Sequence, residues 1–502
     1  MSPEIESQSQ FSRETTGLPE VTTTEVIELR DGDTFDLRAH AIRKRLGEET
    51  VKMLAYNGSI PGPTLRVPQG AEITVEFTNE LDLDTTVHWH GLRLDNRFDG
   101  VAEGHHRGMQ PPIPPGGSFT YRLRVPDVGA YWYHPHIRED YGQEHGLYGN
   151  IIVEPATEDY WSPVNRELTL TVDDILIEED KVAPFSREKA AKKSRFGNVM
   201  LLNGETEYAL GADEGEVIRF YLTNTANARN FTVRIPDARI KYVGDDNGRV
   251  EHEKFVDHLV MSPSERIIVD VLFEHAGEYV IEHQSSTHTY TLGTIDVREQ
   301  SPAVSFAEEF SILRSDVELE AERRRLHDED EFDRKPDKTL ALVGEMPGMK
   351  HGNHAGATDH GNAMASHGHG HGHGHHGGAD WKIVDRETGA VNMDIDWTFD
   401  IGDRVKIRIV NDPDADHVMA HPFHFHGECF LVLASDGVPN ENLVWKDTVL
   451  VNENEIVDVL LDISNPGLWM AHCHIAEHSE NGMMFNFQVN ERGDDERRSH
   501  DE

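Results

Sequence analysis

The stretch Gly70-Ala-Glu-Ile-Thr-Val-Glu-Phe-Thr-Asn79 is a glycine turn, an alternating run and a terminal asparagine. Ile73, Val75 and Phe77 fall on one face of an extended chain, with polar residues between them, the pattern of a strand with one side in a core. The same plan recurs as Gly215-Glu-Val-Ile-Arg-Phe-Tyr-Leu-Thr-Asn224 and as Gly402-Asp-Arg-Val-Lys-Ile-Arg-Ile-Val-Asn411. A second element follows each copy: an alternating strand, a glycine turn, and an aromatic or aliphatic run ending in histidine. Residues 119–125 lead to Gly129-Ala-Tyr-Trp-Tyr-His-Pro-His136, residues 266–273 to Gly277-Glu-Tyr-Val-Ile-Glu-His283, and residues 455–462 to Gly467-Leu-Trp-Met-Ala-His-Cys-His474. Two elements repeated three times in one order predict three homologous antiparallel β-sandwiches.

Around these repeats the chain divides. At 502 residues it exceeds one core, and ~150 residues per domain gives about three. The first unit spans 18–158, the second 163–298 and the third 341–492, with a charged connection at 299–340 and an acidic tail at 493–502. The connection carries Glu318-Leu-Glu-Ala-Glu-Arg-Arg-Arg-Leu-His-Asp-Glu-Asp-Glu331 and reads as a solvated linker, helical in part. Within the third unit, residues 351–378 include Ser366-His-Gly-His-Gly-His-Gly-His-Gly-His-His-Gly-Gly378, whose alternation cannot build a core. Its imidazoles, with Met346, Met349 and Met364, suit metal collection; a flexible solubilising insert is the alternative.

Lys and Arg number 47 against 91 Asp and Glu, a formal net charge of −44. Repulsion on that scale requires counterions or salt, which points to a salt-adapted host and excludes attraction to nucleic acid and anionic membranes. No run is long and apolar enough to span a bilayer, and residues 1–17 show neither a twin arginine nor an apolar leader. The chain therefore reads as soluble, either cytoplasmic or the processed form of an exported protein. Of the two cysteines, Cys429 lies in the apolar run Cys429-Phe-Leu-Val-Leu433 as a buried small hydrophobe. Cys473 stands instead among ligand-type residues, so no disulfide is expected within the chain.

Four His-x-His elements occupy matching places in the first and third units: His88-Trp-His90, His134-Pro-His136, His424-Phe-His426 and His472-Cys-His474. On a strand, residues i and i+2 share a face, so each element presents two imidazoles side by side. Eight imidazoles converging between two domains suit a cluster of three copper ions rather than a structural zinc site. Alternation sends the Cys473 sulfur to the face opposite His472 and His474, so one strand links a cysteine-bound copper to the cluster. His421, before the turn-forming Pro422, with His478 and Met483 completes two histidines, one cysteine and an axial methionine, the blue-copper set.

At His88-Trp-His-Gly91, Tyr131-Trp-Tyr-His-Pro-His136, His421-Pro-Phe-His-Phe-His426 and His472-Cys-His-Ile-Ala-Glu-His478 the chain resembles the multicopper oxidases, specifically their three-domain laccase-like branch. The resemblance covers nearly the whole chain. It implies an all-β fold of three cupredoxin-like antiparallel Greek-key β-sandwich domains, with the second metal-free. It also implies four copper ions per chain: type 1 at His421, Cys473, His478 and Met483; type 2 at His88 and His424; and a type 3 pair at His90, His134, His136, His426, His472 and His474. Asp99, in Phe98-Asp-Gly100, matches the family's carboxylate near the cluster and is assigned a proton-transfer role; a surface acidic residue is the alternative. Where some bacterial members keep a second carboxylate after the last type 1 histidine, this chain has Ser479, with Glu480 next.

The remaining histidines read as ordinary: His283 as a packed residue, and His105, His106 and His145 as loop or surface residues. Met470 and Met484 read as core, and Trp89, Trp132 and Phe425 as packing behind the ligands. The implied activity couples one-electron oxidation of phenols, aromatic amines or similar donors to reduction of O2 to water, with electrons arriving at an exposed edge of His478. A cuprous oxidase is the rival enzyme, with Cu(I) as partner. A copper-buffering or electron-carrying protein is the rival outside enzymes. A copper nitrite reductase would leave several His-x-His elements without a task.

Overall fold

Each copy of the repeated strand lies inside one sheet with the same two neighbours. Glu72–Asn79, Val217–Asn224 and Arg404–Asn411 pair in parallel with Thr34–Leu46, Arg166–Ile175 and Lys338–Glu345, respectively. On their other side they pair antiparallel with Ser118–Arg124, Arg266–Leu272 and Ile456–Asp462. The terminal asparagine of each copy explains the repeat. Asn79 Nδ2 donates to the carbonyls of Leu83 and Ile113, Asn224 Nδ2 to those of Arg229 and Met261, and Asn411 Nδ2 to those of Met419 and Asn452. An amide with two donors thus satisfies buried carbonyls of the chain where it leaves one sheet for the other.

The computed structural model describes residues 12–103, 108–179, 181–184, 194–345 and 380–491. The Gly/His-rich insert at 351–378, the tail at 493–502, and Met346, Met349, Met364, His105 and His106 lie outside them. The described chain is all-β in character, in three sandwiches whose sheets hold four and five, six and five, and seven and five strands. Each encloses its own core: Leu37, Phe77 and Leu123 in the first, Phe220, Phe231 and Val269 in the second, Ile407, Phe425 and Phe487 in the third.

The alternation that marks these strands is altered where sandwiches meet. Val217–Asn224 is buried at every position, so its polar face is covered too, and Arg219 there forms a buried pair with Asp270 at 2.8 Å. The third sandwich already begins at Lys338.

The connection before it is not merely solvated. A helix, Val317–Asp328, starts on Asp316, whose side chain accepts from the backbone N–H of Glu318 and Leu319. Leu319 and Leu326, spaced i, i+7 on one face, pack against Leu431, Leu433, Leu443 and Leu460 of the third sandwich. Lys406 then donates to the carbonyls of Glu331, Phe332 and Arg334, tying down the segment after the helix.

Candidate metal centre

In the first sandwich His88–His90 pairs antiparallel with Gly129–His134, setting His88 opposite His134 and His90 opposite Trp132. In the third, His421–Phe425 pairs with Gly467–Cys473, setting His424 opposite His472 and Phe423 opposite Cys473. The two strand pairs face each other, and their imidazoles interleave. His90 stacks on His424 with centroids 3.8 Å apart, His88 lies 4.1 Å from His426, and His136 lies 5.6 Å from His472. All eight rings are buried.

Candidate ligand atoms fall into trios within 4.8 Å of one another: His88, His90 and His424; His90, His134 and His474; His136, His426 and His472. The structure thus brings together all eight residues of the four His-x-His elements.

The hydrogen bonds behind the rings decide which nitrogen faces inward. Nδ1 of His88 lies 2.7 Å from the Asp99 carbonyl, that of His134 2.9 Å from Pro135 O, that of His424 2.8 Å from Asp447 O and that of His472 3.0 Å from Cys473 O. A carbonyl only accepts, so these Nδ1 atoms carry the proton and Nε2 keeps its lone pair. His90 is reversed: its Nε2 lies 3.0 Å from Asp447 Oδ1 and 3.1 Å from Thr448 Oγ1, which leaves Nδ1 facing the centre.

Nε2 of His88, His134 and His424, Nδ1 of His90 and both ring nitrogens of His474 are buried without a hydrogen-bond partner. Such atoms are costly unless something coordinates them. Burial, and then the neighbouring imidazoles, hold His90, His134, His426 and His474 well below the usual histidine range. Neutral imidazoles with inward lone pairs are what a borderline metal requires, and the donor set fits copper.

On the other side of the Cys473 strand, the thiol lies 3.4 Å from His421 Nδ1 and 3.6 Å from His478 Nδ1. Met483 is buried in the same core, and its carbonyl accepts from the Cys473 N–H at 3.2 Å. Met470 and Met484 pack elsewhere, with Val101. Burial raises the Cys473 thiol and presses His421 down to about 3.

His478 has no exposed edge, contrary to expectation. The indole of Trp381 stacks on it with centroids 3.7 Å apart, and Ser194 Oγ lies 3.5 Å from its Nε2. Trp381 reaches this place because Asp380–Asp385 pairs with Lys338–Glu345 so that Trp381 stands opposite Gly344.

Asp99 is buried, with Oδ1 3.2 Å from His88 Nδ1 and Oδ2 2.9 Å from His426 Nδ1. Ser479 is buried beside His478. Glu480 turns away to accept from the Glu139 N–H at 3.1 Å. Two further carboxyls were not anticipated: Glu139, whose Oε1 lies 3.1 Å from His136 Nε2, and Glu477, next to His478 in sequence. Burial raises both, Glu477 to about 8.

His145 is not a surface residue. It ends the short helix Glu139–Glu144, is buried, and is pressed down to about 3 by that burial. His283 is packed, its Nδ1 accepting from the Thr232 N–H at 3.0 Å. Trp89, Trp132 and Phe425 are fully buried behind the imidazoles. Asp447, Thr448 and Trp381 also escaped the reading of the sequence; the polar pair Asp447-Thr448 opening the apolar run to Val451 was the available signal.

A family model described as multicopper oxidase matches residues 39–158, and a second with the same description matches residues 369–493. The multicopper oxidase mco of Staphylococcus epidermidis is 26% identical over 447 residues, spanning 87% of this chain and 83% of that one. Laccase-1 of Melanocarpus albomyces is 24% identical over 493 residues, spanning 87% and 74%. The solved multicopper oxidase of Campylobacter jejuni, described as a metallo-oxidase, superposes with a TM-score of 0.69 at 21% identity, over 96% of this chain and 100% of that one.

Proposed function

The chain belongs to the multicopper oxidase family, oxidoreductases that use oxygen, and within it we propose a laccase-like enzyme oxidising phenols, aromatic amines or similar donors one electron at a time. The observation that supports the copper-oxidase part of this reading is the burial of eight inward-facing imidazoles, half from each of two sandwiches, one peptide bond from a thiol with its own pair of histidines; the phenolic donor rests on the likeness to laccases. In the proposed assignment His421, Cys473, His478 and Met483 hold type 1 copper and His88 and His424 type 2. His90, His134, His136, His426, His472 and His474 hold the type 3 pair, for four ions in all. Copper bound there supplies one-electron redox chemistry and the place where O2 is reduced to water.

The residues do the rest. Cys473 shares its peptide bonds with His472 and His474, so a covalent path of minimal length joins the electron-receiving side of the strand to the O2-reducing side. The backbone carbonyls of Asp99, Pro135, Asp447 and Cys473 fix four rings in the Nδ1–H tautomer, removing a source of misligation. Asp99 spans His88 and His426 and is placed to pass protons to the chamber where oxygen is consumed. Trp381 and Ser194, themselves buried, cover the ring of His478, so the donor passes its electrons through this cover rather than by touching His478.

A second reading, oxidation of Cu(I), is favoured by one observation: Met419 Sδ lies 3.9 Å from Ser194 Oγ, and the His417 ring lies 5.5 Å from Trp381. A thioether and an imidazole next to the electron-receiving side suit a soft cation. Steady-state O2 consumption with a phenol and with Cu(I), in the whole protein, after Met419→Leu and after deletion of residues 351–378, separates the two. Phenol turnover unaffected by either change supports the laccase reading. Negligible phenol turnover with Cu(I) turnover that falls in both variants supports the other.

A further inference from the structure

Among the described residues the middle sandwich contributes no histidine to the metal centre, yet its Arg266 is buried against both other sandwiches. Arg266 Nη1 donates to Asp447 Oδ1 at 2.8 Å, and Nη2 donates to Asp447 Oδ2. Its Nε donates to Ala130 O of the first sandwich at 2.8 Å, and its backbone N–H to Asp246 Oδ1 at 2.8 Å. The Nη1/Nη2 fork of the planar guanidinium therefore grips Asp447 while Nε is held by Ala130, and the carboxylate has one orientation.

Asp447 in turn meets ligand rings from both halves of the centre: Oδ1 accepts from His90 Nε2 at 3.0 Å, and its carbonyl oxygen accepts from His424 Nδ1 at 2.8 Å. Thr448 Oγ1 donates to the same Oδ1 at 2.9 Å. The residue after His90 agrees with this arrangement. Gly91 has φ +85°, and a Cβ there would collide with Asp447 Oδ2 and Arg266 Nη2.

We propose that Arg266 is a positioning residue for the copper cluster: by fixing both oxygens of Asp447 it makes His90 present Nδ1 inward and sets the ring of His90 relative to that of His424. The inference rests on the assignment of these two histidines as copper ligands. Without the guanidinium the carboxylate is free to turn toward another donor, Asn247 Nδ2 being 3.4 Å from Oδ2, and His90 loses the acceptor that sets its tautomer. The middle sandwich would then be a working part of the centre rather than a spacer.

Copper retained against a chelator, and the paramagnetic resonance signal of the type 2 ion, test this in the copper-loaded full chain, with the blue absorption of the Cys473 site as an internal check on folding. Arg266→Met and Asp447→Asn are expected to keep the blue band, to hold cluster copper ~10- to 100-fold more weakly and to alter the type 2 signal. Arg266→Lys, with the charge but not the fork, is expected to fall between, and it carries the test should the methionine variant not fold.

Arg219→Met breaks another buried ion pair of the middle sandwich, that of Arg219 with Asp270 at 2.8 Å, the other partners of Arg219 being Glu167 and the Ser162 carbonyl, and is expected to lower the melting temperature while leaving the type 2 signal unchanged. Wild-type copper retention and an unchanged signal in Arg266→Lys and Asp447→Asn would overturn the proposal, as would equal weakening by Arg219→Met. A wild-type chain lacking cluster copper would instead remove the ligand assignment beneath it.

Discussion

Asp99 of the first sandwich stands behind His426 of the third, its Oδ2 2.9 Å from His426 Nδ1, while its Oδ1 lies 3.2 Å from His88 Nδ1. One carboxylate therefore addresses rings from both halves of the centre. Asp99→Asn keeps the shape and one acceptor but cannot carry a proton. The expected result is a fall of about 100-fold or more in kcat for O2 consumption, with copper content and blue absorption preserved. Wild-type turnover in this variant would end the proton-transfer role.

Trp381 covers His478 as a buried, stacked ring. Trp381→Ala should cost about 3–5 kcal/mol of stability through the cavity it leaves, and kcat/KM for a phenol should fall because the aromatic bridge to His478 is gone. Trp381→Phe should retain most of both. Thermal unfolding and steady-state rates check this pair, and an alanine variant as active as the wild type would show that electrons arrive by another face.

Asn224 closes the repeated strand of the middle sandwich, far from any candidate ligand in sequence, with three hydrogen bonds from its side chain. Asn224→Ala should lower stability by about 1–3 kcal/mol, since two carbonyls and an N–H lose their partner, without changing the blue absorption. Denaturant unfolding measures it; an unchanged midpoint would show that the repeated asparagine has no closing role.

The net charge of −44 sets the response to salt. Self-repulsion is screened over about 10 Å at 0.1 M salt and over about 30 Å at 0.01 M. The melting temperature should therefore fall as ionic strength is lowered. A melting temperature independent of salt would contradict this role of the net charge.

What could be read from the chain alone were the features whose physics is local. Alternation on a strand places His88 and His90, or His472 and His474, on one face whatever surrounds them, and it places Cys473 on the other. The three glycine-strand-asparagine units were legible for the same reason. Arg266, Asp447 and Trp381 were not, because each reaches the centre through packing between strands distant in sequence; the polar pair Asp447-Thr448 before an apolar run marks an unusual place but does not name the partner, and Arg266 and Trp381 carry no such mark.

The burial of His478 depends on the pairing that sets Trp381 opposite Gly344, which no pattern near His478 encodes. The helix Val317–Asp328 is an intermediate case. Its Leu319 and Leu326 carried the signal for a docked face, but the surrounding charge concealed it.

The central claim is that two sandwiches, facing each other, jointly hold a copper cluster beside a cysteine-bound copper. Copper per chain, measured on the purified and fully reconstituted full-length protein, tests it most directly. The assignment predicts about four ions per chain; about one, with the blue absorption present, would leave the eight imidazoles without the cluster proposed for them and contradict the account.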